Sequence, residues 1–481
     1  MKAHSPLLLA LALSCTSVSA TEQIVTLGDS LTFAYEAEFC FSQNVVPFGP
    51  IGDGFPLTVQ NWIEILSKPA YRGSSFGLGT PDNVTVTAPG NPPFSLYFRQ
   101  SQNWAIPGLK IDGLRRFITG DPTATFTSLM GADSDFSTLG SLLTYSDFNN
   151  ATDFNVTDLQ NQIQGTAQRL TICIGGNDIK EIYGTVYNGG SAGTFVADFM
   201  ADMVAILDRV QTLNPNIQIV VVNVPHVGIT PKVNVAFPYH PTNTERVSVV
   251  LRDLNSQLSA LAETRHIGYA DIYTPTLPML DGVTKLCIHG IQYNNTVTNS
   301  GGFGPVWLSG PISSGFHPNT NAQTVIANQV IHAFNKRYHS GLPPLTATEM
   351  LISLSNKTLS DIDMPFATWM NKYGLNGLPA SNDADGDGIP AGTEFAMGLN
   401  PLLNDADLVN TGIVAGALDF SYPIRLPSSA MFTLVPESST TLTAPFTPFA
   451  VVPTTGADGL AHARLTLGAT PKFLRVKATI P

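Results

Sequence analysis

A serine, a glycine, an asparagine and a histidine stand in four short motifs, and each of these residue types can take part in acyl transfer. Three motifs follow apolar runs that are typical of buried strands, and the fourth precedes a helical pattern. In an open α/β sheet, reactive groups gather at the carboxyl ends of the strands. In chain order, the four residues are Ser30 in Gly-Asp-Ser, Gly108 after Pro107, Asn177 in Gly-Gly-Asn-Asp, and His317 before Pro318.

Ester hydrolysis needs a nucleophile, a base that takes its proton, and donors for the developing oxyanion. Each motif taken singly also has a structural interpretation. Ser30 is a typical helix N-cap, Gly108 and Asn177 are ordinary turn residues, and His317 is compatible with a plain loop. Their joint occurrence, in this order and beside these elements, favours a catalytic role.

From about residue 22 to 340, these motifs resemble the SGNH or GDSL hydrolase family. The resemblance implies that Ser30 attacks and that His317 serves as the base. It places the oxyanion between the backbone N–H groups of Ser30 and Gly108 and the side-chain amide of Asn177. It also implies a flavodoxin-like three-layer α/β/α sandwich, with about five mostly parallel strands and no catalytic cofactor.

One position departs from the family pattern. The family usually has an aspartate three residues before the histidine, and Ser314 stands there instead. The Ser314 carbonyl is one candidate to accept the Nδ1 proton of His317, which would give a Ser-His dyad. A carboxylate from elsewhere in the chain is the other candidate. A neutral acceptor stabilises the imidazolium less than a carboxylate does, so a slower enzyme is expected and an inactive one stays open.

The elements that must position these residues are read from hydrophobic periodicity. Strand and helix alternate, which predicts a mostly parallel sheet with helices on both faces. The predicted strands are residues 170–174, 217–224 and 267–273, and the predicted helices are 56–67, 196–210, 247–261 and 322–330. The polar stretch 119–157 is interpreted as a lid or a disordered insertion. His226 follows a strand end and is a weaker candidate to line the cleft.

An acidic loop lies in the last quarter of the chain. Its spacing is that of an EF-hand calcium loop, with ligands at positions one, three, five, seven and twelve. Those positions are Asp383, Asp385, Asp387, the carbonyl of Ile389, and Glu394. A solvated acidic turn is the alternative. A single loop argues against a calcium sensor, so the expected role of the ion is structural.

The composition bounds the class of protein. The 481 residues carry a formal net charge of −12 and only 12% charged residues, which argues against nucleic-acid partners and anionic membrane surfaces. Residues 1–20 read as a signal peptide, and no later run is long enough to span a bilayer. A secreted, periplasmic or cell-surface protein is therefore expected, in which Cys40 and Cys287 are candidates for a disulfide.

The predicted domains are the signal peptide 1–20, an SGNH hydrolase domain 21–340, a linker with the calcium loop 341–411, and a small β-rich module 412–481. The predicted function is an exported serine esterase that removes short acyl groups, such as acetyl, from carbohydrate. A lipase for longer acyl chains is one alternative. A carbohydrate-binding or cell-surface protein with an attenuated hydrolase fold is another, and the C-terminal module would then serve surface attachment.

Overall fold

The computed structural model describes residues 21–34, 59–86, 94–130, 155–298, 303–308, 315–414, 416–425, 432–441, 443, 445–448, 453–455, 460–466 and 473–480. The predicted signal peptide, Cys40, Ser314 and most of the 119–157 stretch lie outside these residues. No helix in the described part of the chain is long and apolar enough to cross a membrane.

A parallel sheet forms the centre of the N-terminal region. Its strands are β1 (Gln23–Gly28), β4 (Ala167–Cys173), β5 (Gln218–Val222) and β6 (Gly268–Ala270), in the order β1-β4-β5-β6. All neighbouring pairs are parallel. The register aligns Gly28, Cys173, Val222 and Ala270, so the segments that follow these four strands emerge at one edge of the sheet. That edge is where sequence reasoning places the chemistry.

The sheet has four strands among the described residues, where about five were expected. The segment before Gly108 takes the position beside β1 instead. It pairs there through an isolated parallel bridge between Thr26 and Asn103 and donates a hydrogen bond from the Trp104 N–H to the Thr26 carbonyl. The strand that precedes it, β3 (Phe94–Gln100), pairs with β2 (Pro81–Val86) in an antiparallel hairpin outside the central sheet.

Helices cover both faces of the central sheet, which gives the three layers. One face packs against α2 (Ile111–Thr119), α4 (Val156–Gly165), α5 (Gly176–Tyr187), α6 (Phe195–Leu213) and α8 (Pro241–Arg265). The other face packs against α1 (Trp62–Ser67) and α9 (Thr320–Tyr338). Two short helices, α3 (Phe126–Leu129) and α7 (Pro231–Ala236), and 3-10 turns at Val227–Ile229 and Thr274–Asp281 lie in the connections. The strands β7 (Leu286–Ile288), β8 (Ile291–Thr298) and β9 (Pro305–Leu308) precede α9.

The segment after α9 packs against the N-terminal region. Leu342, Leu345 and Leu351 are buried in the same apolar cluster as α1 and α9. The Arg72 guanidinium donates to the carbonyls of Pro343 and Pro344. The residues predicted as a linker are therefore fixed to the first domain by burial and hydrogen bonds, and the boundary at residue 340 stays a prediction.

The C-terminal region joins short helices to two antiparallel sheets. A π-helix spans Thr348–Ser353, and the helices α10 (Leu359–Ile362), α11 (Phe366–Lys372) and α12 (Ala391–Met397) precede a 3-10 turn at Ala406–Leu408. One sheet has the order β10-β11-β15-β14 and the other the order β13-β12-β16. The strands are β10 (Asn410–Val414), β11 (Ala417–Tyr422), β12 (Thr433–Ser439), β13 (Thr447–Pro448), β14 (Thr454–Thr455), β15 (Ala461–Thr466) and β16 (Phe473–Thr479).

Candidate active site

Ser30 lies in a tight turn that follows β1. The Asp29 N–H donates to the Cys173 carbonyl at 3.2 Å, and the Phe33 N–H donates back to the Asp29 carbonyl at 3.0 Å. The Asp29 side chain accepts the Leu31 N–H at 3.0 Å. A Cβ at Gly28 would lie 2.6 Å from the Cys173 carbonyl oxygen, so only glycine fits where β1 meets β4. These contacts fix the position of Ser30.

The side chain of His317 contacts that of Ser30 at this edge of the sheet. Its Nε2 lies 2.7 Å from the Ser30 Oγ, and both residues are buried. The His317 carbonyl accepts the Leu308 N–H at 2.9 Å, which ties the histidine to β9. Asn319 caps α9, because its side chain accepts the Asn321 N–H. A strand on one side and a helix N-terminus on the other thus hold the imidazole against the serine.

The environment of His317 favours a neutral imidazole. Burial, and then the positive charges of Lys232 and Lys180, lower its pKa to about 3. No carboxylate of the described residues is among the groups that shift this pKa. Burial, and then Lys232, lower the pKa of Lys180 to about 8. A neutral imidazole is the form that accepts a proton. Ser314, the predicted orienting acceptor, lies outside the described residues.

Gly108 lies in a turn that is bonded to β1. The Ile106 N–H donates to the Gly28 carbonyl at 3.0 Å, and the Leu109 N–H closes the turn on the Ile106 carbonyl at 3.1 Å. Gly108 has a φ of 75°, the left-handed conformation that follows proline in a type II turn. The described residues provide no backbone acceptor for the N–H groups of Ser30 and Gly108. This fits the oxyanion role that the sequence predicts for both groups.

Asn177 belongs to the first turn of α5, directly after β4. Its Nδ2 donates to the Leu109 carbonyl at 3.1 Å, which joins its turn to that of Gly108. Gly175 precedes the helix with a φ of 121°, and a Cβ there would lie 2.6 Å from Val224 Cγ2. Asp178, the next residue, has a structural contact, since its Oδ1 accepts the Ile111 N–H at 3.1 Å. The structure thus brings the motifs of Ser30, Gly108, Asn177 and His317 to one edge of the sheet.

Asn103 is a positioning residue that sequence reasoning did not single out. Its buried side chain accepts from the Thr26 hydroxyl at 2.9 Å and donates to the Thr32 carbonyl at 2.8 Å. One amide therefore connects β1, the turn after Ser30 and the segment that leads to Gly108. A polar residue just before an apolar run was the available signal, but its partners are visible only in the fold.

Two buried carboxyl groups are adjacent in sequence to site residues: Asp29 precedes Ser30, and Asp178 follows Asn177. Burial, and then the nearby Asp178, raise the pKa of Asp29 to about 7. Burial likewise raises the pKa of Asp178 to about 7. Since a buried charge is costly, these carboxyls retain their protons up to near neutral pH.

An apolar cavity lies beside the Ser30–His317 pair. Asp29 and Leu31 on one side and Phe316 and Pro318 on the other line it, so it is bordered by the neighbours of both residues. The rest of the wall is mainly apolar and includes Ile229, Ile272, Met279, Trp307, Ala322 and Ile326. His226 also lines the wall, as its sequence position suggested, and burial lowers its pKa to about 4.

The acidic loop forms a second cluster, in the C-terminal region. The carboxylate oxygens of Asp383, Asp385 and Asp387 lie within 4.8 Å of one another, and so do those of Asp387, Glu394 and Asp405. Burial, and then the neighbouring carboxylates, raise the pKa of Glu394 to about 9. The donor set is made of hard oxygens, which fits a calcium ion. Asp405 was missed because it lies outside the twelve-residue loop.

The proposed disulfide stays a prediction. Cys287 is half-buried near Tyr373, and burial raises the pKa of its thiol to about 11. Its suggested partner, Cys40, lies outside the described residues.

Comparison with known proteins gives one family match. A family model described as GDSL-like lipase/acylhydrolase matches residues 24–330, which is more than half of the chain. Among solved structures, the chain is similar to an extracellular lipase from Streptomyces rimosus, at 14% identity over 65% of this chain and 99% of that one, with a TM-score of 0.31. It is also similar to a carbohydrate esterase family 3 protein from Talaromyces cellulolyticus, at 12% identity over 64% and 94% of the two chains, with a TM-score of 0.28. No curated protein matches the sequence.

Proposed function

The chain belongs to the family of GDSL-like lipases and acylhydrolases, and from this premise we propose that it hydrolyses carboxylic esters through Ser30 and His317. The observation that carries the proposal is the 2.7 Å distance between Ser30 Oγ and His317 Nε2. As Ser30 Oγ attacks the ester carbonyl carbon, its proton passes to Nε2. The imidazolium then gives this proton to the leaving alcohol, and an acyl-enzyme remains.

The second half of the reaction reverses these roles. His317 takes a proton from water, the hydroxide attacks the acyl carbon, and the proton returns to Ser30 as the acid leaves. In both halves, the Ser30 N–H, the Gly108 N–H and the Asn177 amide would donate to the oxyanion. The connected turns of Gly108 and Asn177 support this assignment, because their hydrogen bond fixes two of the donors relative to each other.

The charge around His317 bears on the rate. Lys180 and Lys232 disfavour its protonated form, and the carboxylate usual in the family is replaced by Ser314. We propose that the Ser314 carbonyl orients the ring, in a Ser-His dyad. The imidazolium formed in the transition state would then be less stabilised than in a triad, so a lower turnover is expected.

Two substrate classes are proposed for the same site. Short acyl groups on carbohydrate, acetyl above all, are the first, and the lack of a long apolar lid in the sequence favours them over long-chain esters. Esters with longer apolar acyl chains are the second, and the apolar cavity beside Ser30 and His317 supports them. Burial of each additional methylene in such a cavity contributes about 0.8 kcal/mol, so a chain that fills it would bind better than acetyl.

Export and calcium binding complete the proposal. The charged start, apolar centre and small-residue cleavage site of residues 1–20 support export, to the medium, the periplasm or the cell surface. We propose a structural calcium ion in the acidic loop, with Asp383, Asp385, Asp387, Glu394 and the carbonyl of Ile389 as ligands. The C-terminal sheets would serve surface attachment.

The test is hydrolysis of p-nitrophenyl esters from acetate to octanoate by the mature protein. Ser30→Ala and His317→Asn should abolish turnover, while the exposed controls Ser256→Ala and His266→Asn should retain it. An organophosphonate probe should label only proteins that keep an activated Ser30. If wild type neither hydrolyses the esters nor reacts with the probe, the alternative of a carbohydrate-binding or cell-surface protein is favoured. A profile with its maximum at acetate would favour the first substrate class, and one that rises with chain length the second.

A further inference from the structure

The acidic cluster contains a buried side chain that lacks a partner. Glu394 has no exposed surface, and among the described residues neither of its carboxylate oxygens has a hydrogen-bond partner. One of those oxygens lies within 4.8 Å of a carboxylate oxygen of Asp387 and of one of Asp405. A buried polar group without a partner costs free energy, and three converging carboxylates repel one another. A bound cation would remove both costs.

Asp405 reaches this cluster from a different part of the chain. Its backbone N–H donates to Asp387 Oδ2 at 3.1 Å, and its own Oδ2 accepts the Asn400 N–H at 3.0 Å. Along the chain, Asp405 follows the helix α12, which carries Glu394, whereas the other acidic residues of the loop precede that helix. The loop, the helix and the segment after the helix therefore meet at one point.

We infer that Asp405 ligates the same divalent cation as Asp387 and Glu394, so that the ion joins the acidic loop to the segment that packs on the hydrolase domain. This inference rests on the calcium part of the proposed function and adds to it a ligand from outside the loop. Calcium suits the site better than magnesium, because it accepts more oxygen ligands in a less regular arrangement.

Through Asp405, the ion would affect how the segment after α12 is held against the first domain. The 3-10 turn Ala406–Leu408 follows it directly and contacts α9 of the hydrolase domain. A cavity lies between α9 and this segment, lined by Asn328 and His332 on the helix and by Leu403 and Leu408 on the segment. Since direct packing is incomplete there, a cation at Asp405 would hold the segment in place. The first domain and the C-terminal sheets would then unfold together when calcium is bound.

The experiment is calorimetric titration of calcium chloride into the chelator-treated mature protein, with thermal unfolding measured with and without the ion. Asp405→Asn keeps the size of the side chain and an oxygen that accepts the Asn400 N–H, so it removes mainly the charge. It should weaken calcium binding by tenfold or more, on the order expected for losing one charged ligand, and Glu394→Gln should do the same. Asp253→Asn, an exposed position on α8, is the matched control and should bind as wild type does.

Unfolding gives the second readout. Calcium should raise the Tm of wild type and of Asp253→Asn, and it should raise that of Asp405→Asn much less. Calcium binding by Asp405→Asn at wild-type affinity would overturn the inference and leave the loop site standing. Failure of wild type to bind calcium would overturn both. Ester hydrolysis, measured on the same preparations, tests Ser30 and His317 alone, so failure of the esterase proposal would be separately visible.

Discussion

Asp29, next to the proposed nucleophile, should make the stability of the protein depend on pH. Its carboxyl is buried, and its pKa is raised from 3.8 to about 7, first by burial and then by Asp178. A carboxyl whose pKa is higher in the folded state stabilises the fold at low pH, where it is protonated in both states. Between about pH 4 and pH 7 the unfolded chain ionises while the folded one does not, so this stabilisation is lost as the pH rises.

The magnitude follows from the two pKa values. A rise from 3.8 to about 7 corresponds to about 4 kcal/mol of unfolding free energy, lost over that window. Asp29→Asn removes the ionisable group and keeps an oxygen that accepts the Leu31 N–H. The unfolding free energy of the variant, relative to wild type, should therefore increase by about 4 kcal/mol between pH 4 and pH 8.

The assay is denaturant unfolding of both proteins at intervals from pH 4 to pH 8. Buried histidines such as His226 and His317 titrate with the opposite sign, because burial lowers their pKa. They are present in both proteins, so the difference between the two curves isolates Asp29. The exposed Asp253→Asn should run parallel to wild type. A difference between Asp29→Asn and wild type that stays constant across this range would refute the reasoning.

Three further predictions concern turnover and its dependence on substrate and pH. Asn177→Ala should lower kcat by about 10²- to 10³-fold through loss of one oxyanion donor, whereas an unchanged kcat would place the oxyanion elsewhere. Ala322→Phe, which fills the apolar cavity, should lower kcat/KM for octanoate more than for acetate. The exposed Ala260→Phe is its control. An unaltered chain-length profile would exclude the cavity as the acyl site. The acidic limb of kcat/KM should lie well below pH 6.5, because burial lowers the pKa of His317 to about 3. Lys232→Met should move that limb upward by removing a positive charge, and a limb that does not move would count against this electrostatic account.

Much of the fold was predictable because it depends on local patterns. Periodicity placed the helices of residues 196–210 and 247–261 inside the observed Phe195–Leu213 and Pro241–Arg265, and the strand 217–224 around Gln218–Val222. About five strands were expected in the central sheet, and the described residues form four. The segment at Asn103 pairs with β1 through one isolated bridge and the backbone hydrogen bonds around it, and local sequence cannot reveal such a pairing. The insertion 119–157 lies mostly outside the described residues.

Residue type and order along the chain are enough to specify the chemical groups of the site. Gly28, Gly108 and Gly175 lie at positions that require glycine, because a Cβ would clash there or because φ is positive. Such local constraints can be recognised from the residue type. Which of these groups come into contact depends on the fold as a whole. The register of β1, β4, β5 and β6 aligns the ends of the strands, and the packing of α9 brings His317 within 2.7 Å of Ser30. Likewise, Asp405 joins Glu394 only because the chain folds back after α12. Contacts between distant segments depend on packing over the whole fold, and no local pattern encodes them.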